Sequence, residues 1–250
     1  MQYKFIPVDN NLDKAEAFAN TLNNSNIRNV QKIIQPESYI KTLDVIERFQ
    51  NEGWLLKGVS EQRGKSNRKV THNFAQLHHP DFDIKTKVGG IDSVASITIS
   101  NSCNGKSPIE LNLGAFRMVC SNGMISRSTL TESKIKHTSE GYRDLPSIIN
   151  GFHLSSRALA TNIEKLQNTE LTSKEISNFA FDAVRAKYGS GIPQDYDFNK
   201  VVRANRKEDE GNNVWVVFNR LQESLTQNVS RMSDDIRLNK DLFSLAESYA

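Results

Sequence analysis

Cys120 and His137 are the residues of this chain best suited to nucleophilic chemistry. Cys120 precedes a turn dipeptide, Asn122-Gly123, and an imidazole from His137 can activate a thiolate. The competing reading is that a cysteine beside Val119 on a strand is a small core hydrophobe. The other histidines are His72, His78, His79 and His153, and none stands at metal-ligand spacing from Cys103 or Cys120. His78 and His79 are adjacent, so on a strand they point to opposite faces. Gly189-Ser190-Gly191 lacks the spacing of a phosphate loop and reads as a helix stop. The acidic run Glu208-Asp209-Glu210 lies near Arg203, Arg206 and Lys207 and reads as a solvated loop. No metal and no cofactor are expected.

Charge supplies a second kind of chemistry. The net charge is only +3. Residues 53–143 nevertheless hold thirteen Lys/Arg against seven Asp/Glu, net +6, while residues 1–52 are net −1 and residues 144–250 net −2. Lys57, Arg63, Lys65, Arg68 and Lys69 cluster near Trp54 and Phe74, and Arg117, Arg127, Lys134 and Lys136 near Phe116. Cations that follow phosphates and rings that stack bases suit a single strand of nucleic acid. The alternatives are aromatics that face the core and lysines that keep strand edges apart.

The elements that must position these residues follow from periodicity. Ile40, Leu43, Ile46 and Phe49 form a stripe on a helix that opens near Pro36 and ends at Gly53. Strands follow: residues 54–59, then Val70 to His79 with Val70, His72, Phe74 and Gln76 on one face, a loop over 80–93, and a clean alternation in 94–100. Ile109, Leu111, Leu113 and Ala115 share a face, after which the apolar phase switches to Phe116, Met118 and Cys120. A bulge at Gly114 or a strand covered on both faces explains the switch. Asn122-Gly123 is expected to form a two-residue hairpin turn.

From residue 142 the period is helical, with a capping box at Thr172-x-x-Glu175 and a stripe through Val214, Val217, Phe218, Leu221 and Leu225. Helix, then strands, then helices argues an α+β fold, an antiparallel hairpin sheet packed on mainly C-terminal helices. The expected organisation is a weakly ordered segment 1–34, one domain over 35–235, and a helix or tail over 236–250. No apolar run reaches membrane-span length. Two cysteines and no export signal point to a cytoplasmic protein.

The run Leu113-Gly114-Ala115-Phe116-Arg117-Met118-Val119-Cys120-Ser121-Asn122-Gly123 resembles the phage/plasmid-like protein family catalogued as domain of unknown function 932. Ile135-Lys136-His137-Thr138 and Asn213-Val214-Trp215-Val216-Val217-Phe218-Asn219 match it in order. The resemblance implies a bacterial, phage or plasmid gene in a bacterial host and transfers no catalytic residue. The function expected is non-catalytic binding or annealing of single-stranded DNA by a mobile-element protein. The alternative is a protein-binding module that meets an acidic host protein, in counter-defence or assembly, and the least favoured is a Cys120/His137 enzyme. No membrane partner is expected, and a homo-oligomer is left open.

Overall fold

The computed structural model describes residues 5–18, 22, 38–63, 70–85, 91–105, 107–117, 123–125, 132–227 and 229–250. In chain order the elements are β1 (Ile6–Pro7), α1 (Leu12–Phe18), α2 (Thr42–Asn51), β2 (Leu55–Arg63), β3 (Val70–Lys85), β4 (Ile91–Ser102), β5 (Ile109–Arg117), β6 (Gly123–Ile125), β7 (Glu132–Ile135), α3 (Ser139–Asn168), α4 (Ser173–Tyr188), α5 (Phe198–Val202), α6 (Val214–Thr226) and α7 (Met232–Ser248). The strands form one antiparallel sheet in the order β1-β2-β3-β4-β5-β6. β7 shares the outer edge of β5 with β6: it pairs with Ile109–Asn112, and β6 with Gly114–Phe116. The α+β architecture expected from the order of periodicities is the one observed. No described helix is long and apolar enough to cross a membrane.

One face of the sheet is apolar. Leu77, Ile97 and Leu113 lie side by side across β3, β4 and β5, with Ala75, Ile99 and Leu111 in the next row, all fully buried. α3 covers this face with the stripe Leu145, Ile149, Phe152, Leu159, Ile163 and Leu166, at the spacing of one helix face. Each such side chain contributes about 1.5–3 kcal/mol on burial, so this layer dominates folding. α7 belongs to the same core: Leu242, Phe243 and Ala246 are fully buried, and Phe243 meets Phe218 of α6 edge-on at 5.7 Å.

The opposite face is polar and also buried. Gln76, Thr98 and Asn112 form a row across β3, β4 and β5, and Ser60, Gln62, His78, Ser96 and Ser102 surround it, all with little exposure. Phe74, Ile236 and Phe5 make a small separate apolar cluster here, and Ser233 of α7 donates to Gln62 Oε1 through both its N–H and its hydroxyl, each at 3.2 Å. Burial holds His72 below its ordinary pKa and His78 down at about 3, so both stay neutral. Among the described residues neither amide atom of Asn112 has a hydrogen-bond partner.

Local signals held where they rest on the backbone. Thr172 and Glu175 form the reciprocal capping box, Gly189 closes α4 at φ +61° and Gly53 follows α2 at φ +89°.

Four expectations are corrected. Pairing of β4 with β5 runs from Ser93↔Arg117 to Ser100↔Glu110 without a shift, so there is no bulge at Gly114. β5 is instead buried on both faces, Leu111 and Leu113 on one and Asn112 on the other. Gly123 opens β6 opposite Phe116, and Met124 faces Ala115. A two-residue Asn122-Gly123 turn needs Met124 opposite Ser121, so the ladder excludes it; Asn122 itself lies outside the described residues. The loop read over 80–93 is largely strand: β3 runs to Lys85 and β4 begins at Ile91. Finally, α2 starts at Thr42, and Pro36 lies outside the described residues.

Candidate functional site

The irregularity in the sheet lies in β3. His78 pairs with Ser96, and the next pair is Asp83 with Val94, so five steps along β3 match two along β4. His79, Pro80, Asp81 and Phe82 therefore stand against the single residue Ala95, three more than an even ladder holds. Pro80 is tolerated because a looped-out position has no ladder bond to donate. Bulges of this kind re-aim side chains, and here the bulge faces the turn of α3 that carries His153, Ser156, Arg157 and Ala160. Glu52 and Gly53, just past the end of α2, form the third wall. The three walls enclose a cleft of about 610 Å³, within the size range of small-molecule sites.

Rings line it. His79 lies 4.5 Å from Phe82 and 4.9 Å from His153, and Phe82 meets His153 edge-on at 5.5 Å. The fully buried Trp54 packs behind these rings, 5.1 Å from His79 and 5.8 Å from His153. Gly53 allows this packing: a Cβ there would sit 3.1 Å from His79 Nε2, on a residue whose positive φ already disfavours a side chain.

Hydrogen bonds assign both tautomers. The Asp81 N–H donates to His79 Nδ1 at 3.2 Å, so the His79 proton sits on Nε2 and is given to the Glu52 carbonyl at 3.3 Å. The Trp54 indole N–H donates to His153 Nε2 at 3.0 Å, which leaves the neutral His153 proton on Nδ1. Burial, then the neighbouring His79, lowers the His153 pKa, with Glu52 and Asp81 opposing. Both bonds of His79 are thus committed to the walls, and His153 Nδ1–H is the imidazole donor left over. Glu52, Asp81 and Arg157 are exposed at the rim, and none makes a side-chain hydrogen bond or ion pair among the described residues.

The described members of the basic set singled out from sequence lie on separate strands. Lys57 and Arg63 are exposed on β2, Arg63 at 3.9 Å from Glu61. Lys134 on β7 stands 3.3 Å from Glu110 and 3.6 Å from Glu132, and the bond to Glu110 raises its pKa. β3, β4 and β5 separate these groups, about 19 Å at the usual strand spacing. Lys136 is exposed beyond β7, and Arg117 ends β5 opposite Ser93. Lys65, Arg68, Lys69, Arg127 and Cys120 lie outside the described residues. Trp54 and Phe74 are fully buried, so neither offers a face to solvent.

His137 is engaged in the fold: its Nδ1 accepts from the Ile40 N–H at 3.2 Å and its ring stacks on Tyr39 at 4.7 Å. Among the described residues no group of three His, Cys, Asp or Glu can hold a metal ion. Sequence reading missed the cleft. Its one visible trace is His78-His79 followed by Pro80, where alternation breaks inside an apparent strand.

Residues 32–243 match the family described as a domain of unknown function (DUF932). UPF0380 protein YfjQ of Escherichia coli (strain K12) is 23% identical over 231 residues, covering 84% of this chain and 81% of that protein. UPF0380 protein YafZ of the same organism is 23% identical over 232 residues, with the same coverage. No solved structure matches the chain.

Proposed function

The chain belongs to the DUF932 family, and for this member we propose that the function is binding of single-stranded nucleic acid, without catalysis, in the cytoplasm of a bacterial host as part of a mobile element. The observation that carries the reading is the ring-lined cleft with an unpaired Arg157 at its rim. The partly exposed rings of Phe82 and His153 offer faces for stacking, and the Arg157 guanidinium at the rim suits the phosphate. A duplex keeps its bases stacked inside, so a single strand places one in such a cleft without the cost of unpairing and unstacking. The excess positive charge of residues 53–143 supports the reading as a long-range field that draws in a polyanion.

The test is fluorescence anisotropy with a labelled single strand and its duplex. Binding of the single strand is expected to weaken steeply with salt, because phosphate contacts release counterions. Phe82→Ala is expected to weaken it about 5- to 150-fold, the worth of one stacked base. Absence of binding to either form at low salt refutes the proposal.

A second reading, a protein-binding module, is favoured by one surface. Phe181 is 49% exposed and Tyr188 36%, and Phe181 borders a groove with Ile176, Ala180, Phe198 and Val202. A partner captured from host lysate that survives nuclease treatment supports this reading; one lost with the nucleic acid supports the first.

A further inference from the structure

We infer that the contact between the Trp54 indole and His153 is an acid-released latch: it fastens α3 to the start of β2 while the imidazole is neutral, and protonation of His153 opens it without unfolding the domain. Trp54 immediately precedes β2, and His153 lies midway along α3. The latch belongs to the walls of the cleft, so it holds whatever the cleft binds.

The argument turns on one lone pair. Trp54 is fully buried, and its N–H is given to His153 Nε2 at 3.0 Å. An indole N–H only donates, and an imidazolium carries N–H groups at both nitrogens and accepts nothing. Protonation of His153 therefore breaks this bond in every orientation of the ring, a flipped one included, and leaves a buried donor beside a cation. His79 cannot take over as a partner. Its ring lies 4.9 Å from that of His153, but its Nδ1 lone pair already receives the Asp81 N–H, and its Nε2–H is already given to the Glu52 carbonyl.

Each neighbouring element sets a titratable or charged group against His153. The bulge of β3 contributes His79 and Asp81, the residue after α2 contributes Glu52, and α3 contributes Arg157 one turn further on. Burial disfavours the cation most, His79 and Arg157 disfavour it too, and the two carboxylates favour it; the balance lowers the pKa from 6.5. The fold thus prefers neutral His153. That preference is present in full above pH 6.5 and is lost as pH falls through the lowered value.

Two features keep the release local. His153 is only half-buried at the cleft, so the charged ring regains water by leaving the indole. The apolar stripe that seats α3 on the sheet, Leu145, Ile149, Phe152, Leu159, Ile163 and Leu166, carries no titratable group and is untouched by the proton.

The experiment is nitrogen-15 NMR of the full chain from about pH 8 down to about pH 4.5, the span in which histidines titrate. The chain has two tryptophans, so there are two indole N–H signals. Trp215, buried on α6 and stacked on Phe218 at 5.6 Å, is the internal control. The Trp54 indole signal is expected to move with the same midpoint as the His153 ring, and its exchange protection to fall about tenfold, the worth of one hydrogen bond. Trp215 and the sheet amides are expected to keep theirs. His153→Gln sets a non-titrating amide oxygen near the place of Nε2, and there the Trp54 signal is expected to stay constant across the series. A Trp54 signal that does not move while His153 titrates overturns the inference, as does an equal movement in folded His153→Gln. Loss of both indole signals at one midpoint also overturns it, because the event is then global unfolding. The midpoints in the parent protein decide the matter even where the Gln variant fails to fold.

Discussion

Replacing Trp54 by Phe tests the architecture of the cleft through a single hydrogen bond. The indole is fully buried, and its N–H is donated to His153 Nε2 at 3.0 Å. Phenylalanine keeps a ring against Phe49, which meets Trp54 edge-on at 5.8 Å, but has no donor. The lost bond costs about 1 kcal/mol, and the smaller ring costs a further ~1–3 kcal/mol in packing. A total of about 2–4 kcal/mol lies within the stability of an ordinary domain, so the variant folds, with Tm lowered by about 5–15 °C. The informative readout is His153. A donor aimed at Nε2 favours the neutral ring, so its removal lets the imidazole pKa rise from its lowered value toward the ordinary one. Imidazole NMR across a pH series measures this directly, and in the native protein ring nitrogen shifts should show Nδ1 protonated. A folded Trp54→Phe protein in which His153 titrates unchanged refutes the tautomer assignment.

Two further outcomes are expected elsewhere. Thr42 donates to Asn73 Oδ1 and accepts from Asn101 Nδ2 at 3.0 Å, all three side chains being fully buried. Thr42→Val keeps the volume but deprives both amides, so a loss of about 2–4 kcal/mol is expected in urea unfolding, with Thr42→Ser within about 1 kcal/mol of the parent; equal stability of the Val variant contradicts the network. Asp235 on α7 has its pKa raised from 3.8 to about 6 by burial, with the Asn239 amide opposing. Its protonated form stabilises the fold fully below pH 4, and that contribution is lost as pH rises through about 6. Asp235→Asn should therefore gain up to about 3 kcal/mol at pH 7 and almost nothing at pH 4; a gain independent of pH excludes titration of this carboxyl as the cause.

Backbone chemistry and periodicity could be read from the chain alone. The Thr172–Glu175 capping box, the stop at Gly189 and the turn after α2 at Gly53 depend on residues within a few positions of one another, and any fold containing these segments must satisfy them. The alternation Ala95, Ile97, Ile99 against Ser96, Thr98, Ser100 defined a strand for the same reason, and the succession of strand and helix periods gave the α+β class. Three features required the tertiary structure. Period-two alternation reports that two faces differ, not that the polar one meets water, so burial of Gln76, Thr98 and Asn112 was invisible until strands and helices were assembled around them. How far apart the two basic groups stand was equally invisible: hairpins place Lys57 of the first and Lys134 of the second on strands with three others between them. The cleft brings His79 to His153, whose ring accepts from Trp54, 99 positions away in the chain. That proximity follows from where α3 crosses the bulge in β3. Local propensity carries no record of such a crossing, because it is set by how the apolar stripe of α3 seats on the sheet as a whole.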